Sequence, residues 1–175
     1  SEPEEKILNL TITTSHSNWT RMLSGFLTKE ERKVLDEKGR KKTKNFSEII
    51  GLMDHKNKNI RDNASAAFKE ILEKHLDVAE NEINSVLQNK KVDDELRKFK
   101  RPDSARHLND DVETDVVDTL IKAVSSRFDI SKRYYRLKAK LLGVKKLKYH
   151  ERNVEYGKID KKYSFEDAVQ ILDKV

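Results

Sequence analysis

Apolar residues recur along this chain at spacings of three and four, so helices dominate the expected structure. Ser1 stands where an N-cap belongs, Pro3 is tolerated in a first turn, and Glu4 and Glu5 suit the positive end of a helix dipole. Ile7, Leu8 and Ile12 mark one apolar edge, which the β-branched run from Thr11 to Thr14 is expected to fray. A second helix is expected from about Ser17, with Trp19, Met22, Leu23, Phe26 and Leu27 on its inner face. Arg32–Leu35 and Lys41–Asn45 form the one plausible strand pair, turning through Asp36-Glu37-Lys38-Gly39, where Gly39 can take a positive φ. Asn45-Phe46-Ser47-Glu48 then has the form of a capping box and opens a short helix through Met53.

The strongest pattern runs from about Asn59 to Gln88. Ile60, Ala64, Ala67, Phe68, Ile71, Leu72, Leu76, Ala79, Ile83, Val86 and Leu87 keep one face apolar. The expectation is a single helix of almost eight turns, ~45 Å long, packed against several others. A polar link broken by Pro102 follows. Helix Glu113–Phe128 is expected to turn Val116, Val117, Leu120, Ile121, Val124 and Phe128 inward, and helix Ser131–Leu142 to stop at Gly143 as its C′ residue. Ser164-Phe165-Glu166-Asp167 caps a last helix towards Val175. The fold class is therefore mainly α, a multi-helix array with one small β-hairpin.

Composition sharpens this. Of 175 residues, 35% are hydrophobic and 39% charged, so the core is thin for the length. Some apolar surface is expected to await a neighbour. The missing initiator Met and the abrupt last helix are expected of a piece cut from a longer chain. No cysteine is present, which excludes disulfides and thiolate metal sites and suits a reducing compartment. No apolar run approaches the roughly 20 residues of a membrane span.

The net charge of +6 is concentrated between Ser131 and Arg152, where nine Lys/Arg face one acid, Glu151. Lys132, Arg136 and Lys140 form a stripe that reads either as a phosphate-tracking surface or as a solvated helix face, the second being favoured. On the same wheel Ile130, Tyr134, Leu137 and Leu141 make an inward arc extended by Tyr135, so the tyrosines are expected in the core and not on a base-stacking platform. Lys138 projects into that arc and is expected to form a structural ion pair.

Catalytic and metal chemistry find little support in these residues. His150-Glu151-Arg152-Asn153-Val154 begins like the HExxH of zinc peptidases, but Val154 occupies the second ligand position and offers no donor. His16, His55, His75 and His107 have no partner at ligand spacing, and His75 is expected to pack at the boundary of the long helix. Five dispersed glycines preclude a phosphate loop. No catalytic and no metal-binding residue is expected within the chain. Substrate-binding residues are unassigned, and Arg106, His107 and Tyr134 are groove-lining candidates without a warrant.

Several segments nevertheless resemble the oligoendopeptidase F family of zinc metallopeptidases, within the thimet-oligopeptidase-like superfamily. They include the start Ser1-Glu2-Pro3-Glu4-Glu5-Lys6-Ile7-Leu8, the helix around Trp19, the hairpin before Phe46-Ser47-Glu48-Ile49-Ile50, and Arg101-Pro102-Asp103-Ser104-Ala105-Arg106-His107-Leu108. The closest section is Ser131-Lys132-Arg133-Tyr134-Tyr135-Arg136-Leu137-Lys138-Ala139-Lys140-Leu141-Leu142-Gly143, followed by Arg152-Asn153 and the last helix. The resemblance implies a mostly helical, cytoplasmic enzyme with a partly enclosed groove for short peptides. Its HExxH helix and further glutamate ligand would lie past the region matching Val175, so zinc would belong to the full-length enzyme and not to this segment.

On that basis residues 1–58 are the close of an N-terminal helical region with its hairpin. Residues 59–175 are the long helix and the helices leading into the catalytic domain. The expected partners are the rest of the same polypeptide and an oligopeptide substrate, with no membrane and with nucleic acid disfavoured. The alternative is a basic all-α module that binds nucleic acid or acts as an adaptor.

Overall fold

The computed structural model describes residues 1–157 and 162–173. It is a helical array with one antiparallel hairpin, as the periodicity predicts. Helix α1 (Glu2–Ile12) opens with a Ser1–Glu4 capping box. The Thr-rich run does not fray. Thr11, Thr14 and Ser15 hydroxyls donate to carbonyls three or four residues back, at 2.9, 2.9 and 2.8 Å. The chain widens into a π-turn (Thr13–Ser17) and continues as α2 (Asn18–Leu27). Hydroxyl back-bonding bends helices more readily than it ends them.

Strands β1 (Glu31–Leu35) and β2 (Lys41–Asn45) pair with Glu31 opposite Asn45 and Leu35 opposite Lys41. Gly39 has φ +76°, and the nearly fully buried Asp36 accepts the Lys38 and Arg40 amides at 2.9 and 2.8 Å. Asn45 and Glu48 exchange capping bonds at 3.0 Å, opening α3 (Phe46–Leu52).

Helix α4 (Lys58–Lys74) lies across the hairpin and α3. Here sits the main core: Val34, Ile49, Leu52, Ile60, Ala64, Ala67 and Ile71, with Phe46 stacked on Phe68 at 5.6 Å. Each buried isoleucine contributes about 1.5–3 kcal/mol. Asn63 seals the hairpin by accepting the Leu35 amide at 2.8 Å.

The single long helix expected from Asn59 to Gln88 is two helices. It breaks at His75 (φ −111°, ψ 17°), and α5 (Leu76–Leu96) follows. No Pro or Gly causes this. The His75 ring stacks on Phe26 with centroids 5.8 Å apart, and its Nε2 lies 2.9 Å from Glu30. Lys74 reaches the same Glu30 oxygen at 2.6 Å. Lys74, Arg32 and His75 together hold the Glu30 carboxyl down at about 2. Tertiary contacts thus redirect the chain so that α5 runs back along α2.

Helices α6 (Ser104–Asn109), α7 (Thr114–Ser125) and α8 (Phe128–Leu141) come next. Arg101 bridges the link to α7 through Asp118 at 2.8 Å. Gly143 (φ +69°) closes α8, with its amide on Lys140 and the Val144 amide on Ala139, as in a Schellman motif. A 3₁₀ turn (Tyr149–Glu151) precedes the last helix, α9 (Phe165–Leu172), capped by Ser164 and Asp167. The helix ends at Leu172, and the last two residues of the stretch expected to be helical, up to Val175, lie outside the described residues.

The inward faces expected on α7 and α8 are not buried. Val116, Leu120, Ile121, Val124 and Phe128 are all more than half exposed, and so are Tyr134 and Leu137. The distal half of the apolar stripe shares this fate, with Leu76, Ile83 and Leu87 open to solvent. Among the described residues no helix is long and apolar enough to cross a membrane.

Candidate functional site

The buried polar groups converge where α4 begins and the 3₁₀ turn arrives. Glu151 is 1% exposed, and its Oε1 accepts from Arg61 Nη2 at 2.9 Å and Nε at 3.3 Å. Its Oε2 accepts the Lys148 amide at 2.9 Å, and Lys58 stands 3.5 Å away. Burial pushes the Glu151 carboxyl up, but the Lys148 amide and the cations Arg61 and Lys58 outweigh it and leave it below the usual range. His150 Nε2 meets Asp62 at 2.8 Å. Asp62 also takes Lys58 at 2.6 Å, with Lys148 at 3.8 Å. Partial burial raises its carboxyl, and Lys58, His150 and Lys148 together bring it down to about 2.

Asp62, His150 and Glu151 offer ligand atoms within 4.8 Å of one another, which is metal-like spacing. The donor set does not fit a divalent ion. Two carboxylates already face three cations, Lys58, Arg61 and Lys148, so a further dication would enter a field that is not negative. Glu151 would also have to leave Arg61, exposing an uncompensated buried guanidinium. The cluster is an anchor that ties the turn to α4.

Against the other side of this anchor lies a half-open cleft of about 740 Å³, walled by Tyr134, Leu137 and Leu141 of α8 and by Asn153, Val154 and Tyr156 beyond the turn. Lys138 forms part of its floor. It is 9% exposed, and its ammonium donates to the Arg152 carbonyl at 2.6 Å, with the Tyr134 ring centroid at 6.0 Å. Among the described residues a bond to a neutral carbonyl stands where the ion pair was expected. A larger groove of about 1120 Å³ runs between α1, the end of α5 and α6, with Arg97 paired to Glu5 at 2.8 Å along it.

Of the three unwarranted candidates, Tyr134 borders the cleft beside Lys138. His107 is buried and structural, its Nδ1 3.1 Å from Thr114 Oγ1. Arg106 pairs with Asp110 on the surface. The tyrosines are not core residues: Tyr134 and Tyr135 are exposed and touch edge to face at 5.2 Å, and Arg152 covers Tyr149 at 4.0 Å. That removes one ground for setting a stacking surface aside, although Tyr134 and Tyr149 each already carry a cation. Lys132, Arg136 and Lys140 are exposed, as both readings of the stripe require.

Sequence reasoning missed Arg61, Asp62 and Lys58. Arg61 flanks the apolar arc of α4 beside Phe68, and a cation at such an edge is a readable signal for a buried partner. Nothing in the sequence shows that the partner is 90 residues away.

No family model matches the sequence. A curated protein similar to it is an oligoendopeptidase F homolog of Lactococcus lactis subsp. lactis (strain IL1403). The two are 28% identical over 127 residues, covering 71% of this chain and 21% of that protein. The fold is similar to a crystal structure described as a "putative peptidase" from Chlamydophila abortus, with a TM-score of 0.79 and 19% identity, over 99% of this chain and 29% of that one. At that identity the likeness shows the fold alone. The chain thus spans about a fifth of the length of the curated relative. The resemblance to oligoendopeptidase F read from the residues has its counterpart in a curated sequence.

Proposed function

We propose that this chain is a segment of a zinc-dependent oligoendopeptidase that hydrolyses short peptides. It supplies helical wall to the substrate groove and no catalytic residue. The observation that carries the reading is the 28% identity to the oligoendopeptidase F homolog across 71% of the chain. The exposed apolar faces of α7 and α8 support it, because Val116, Leu120, Ile121 and Val124 fit a surface that the remaining polypeptide covers. In this reading residues 1–58 close an N-terminal helical region and residues 59–175 lead into the catalytic domain. One core joins the two, since Val34 and Ile49 pack against Ile60 and Ile71. The enzyme is placed in the cytoplasm, which the absence of cysteine suits.

Zinc in the complete enzyme would polarise the scissile carbonyl and activate a water. The Asp62–His150–Glu151 anchor does not fit that ion, so its ligands fall to other parts of the polypeptide. The chain's own contribution is positional: Arg61 and Glu151 lock the 3₁₀ turn to α4 and so hold α8 and its cleft in place.

The test is cleavage of a mixed set of short peptides by the complete polypeptide and by residues 1–175 alone. Cleavage by the complete protein, lost on chelation and restored by zinc, is expected. Cleavage that survives chelation would remove the zinc reading. Cleavage by residues 1–175 alone would overturn the claim that they hold no catalytic group.

A further inference from the structure

Lys138 poses a physical problem that the scaffold role does not solve. A buried ammonium is costly unless paired. Lys138 has three donors, and its one hydrogen bond among the described residues goes to the neutral carbonyl of Arg152. No carboxylate among those residues comes within 4.0 Å of it. The Tyr134 ring at 6.0 Å offsets part of the charge. The remainder faces the cleft, whose volume of about 740 Å³ lies within the usual range for small-ligand sites.

The rest of the cleft is close to neutral. Lys56 and Glu155 on its rim pair with each other at 3.3 Å. Leu137 and Leu141, both about half exposed, give the cleft an apolar wall, and Asn153 lines it with Lys138. One buried cation, an adjoining apolar wall and one amide match a chain end that carries a carboxylate, a side chain and a peptide bond. A bare phosphate would use the cation and leave the apolar wall unoccupied.

We propose that this cleft binds the C-terminal carboxylate of a short peptide, with Lys138 as counter-ion and Leu137 and Leu141 receiving the last apolar side chain. The proposal rests on the peptidase reading for its ligand class. Binding, however, is separable from cleavage.

The experiment titrates the complete, metal-stripped polypeptide with N-acetyl-Ala-Leu, with its C-terminal amide, and with inorganic phosphate, by calorimetry. The acid is expected to bind about tenfold or more tighter than the amide, the value of one charge-assisted hydrogen bond. Phosphate is expected to compete weakly. Lys138→Met should abolish the preference for the acid. Since that variant removes a buried group, Tyr156→Glu provides a second arm. Tyr156 is 62% exposed, so the change leaves the fold intact while repelling a carboxylate in the cleft.

Equal binding of acid and amide by the unmodified protein would overturn the proposal. So would undiminished preference in Tyr156→Glu, or phosphate binding as tight as the peptide's. If acid preference holds while the zinc-loaded protein cleaves nothing, the carboxylate site stands and the peptidase reading fails. Cleavage without acid preference would sink the carboxylate site and leave the peptidase reading standing.

Discussion

Helices α4 and α7 carry equally clear apolar stripes and meet opposite fates. On α4, Ile60 is 3% exposed and Ala64 and Ile71 are sealed, because the hairpin and α3 cover that face. On α7, Val116 and Leu120 stay 59% and 61% exposed, with no element of comparable size against them among the described residues. A periodic pattern states which side of a helix seeks cover. It does not state whether the same stretch of chain provides it.

The contrast can be broken hardest at the anchor. Arg61→Met leaves Glu151 buried without its guanidinium, and a loss of about 3–5 kcal/mol is expected in urea unfolding. A loss below about 1 kcal/mol would mean that the carboxylate has another adequate partner.

Paired truncations compare the two stripes directly. Ile71→Ala should cost about 2–5 kcal/mol, whereas Leu120→Ala should stay within about 0.5 kcal/mol in residues 1–175 alone. Similar losses at both sites would show that the α7 face is covered in solution. In the complete polypeptide Leu120→Ala should cost more than in the segment, if the remaining chain packs there.

Acid supplies the gentlest probe. Asp62 and Glu30 titrate at about 2 in the fold, against ordinary values of 3.8 and 4.5. Depressed carboxyls contribute stability above their ordinary values and lose it as pH falls through the folded ones. The melting temperature should therefore decline between about pH 4.5 and 2, and Asp62→Asn should flatten part of that decline. An unchanged slope in the variant would show that Asp62 adds nothing.

Much of the local structure was legible. The Asn45–Glu48 box, the Gly39 turn, the Gly143 stop and the Ser164 cap are each set by residues within four positions, so their chemistry is complete in the sequence. The break at His75 was not legible. It depends on Phe26 and Glu30, more than 40 residues earlier, and a continuous helix satisfies every local rule there. The site divides the same way. His150 and Glu151 stood out as an incomplete ligand motif and Lys138 as a misplaced cation, yet Asp62 was silent, and Arg61 signalled at most a buried partner without saying which.

By itself, then, the sequence determined a helical chain with one hairpin, the ends of most helices, the absence of thiol chemistry and the oddity of Lys138. These follow from short-range sterics, capping bonds and side-chain inventory. Only the tertiary structure decided that α4 is buried and α7 open, that the long stripe bends at His75, and that Glu151 pairs with Arg61. Such outcomes depend on which distant groups meet. Burial and charge pairing are properties of that meeting, and the spacing of residues along one stretch of chain does not contain them.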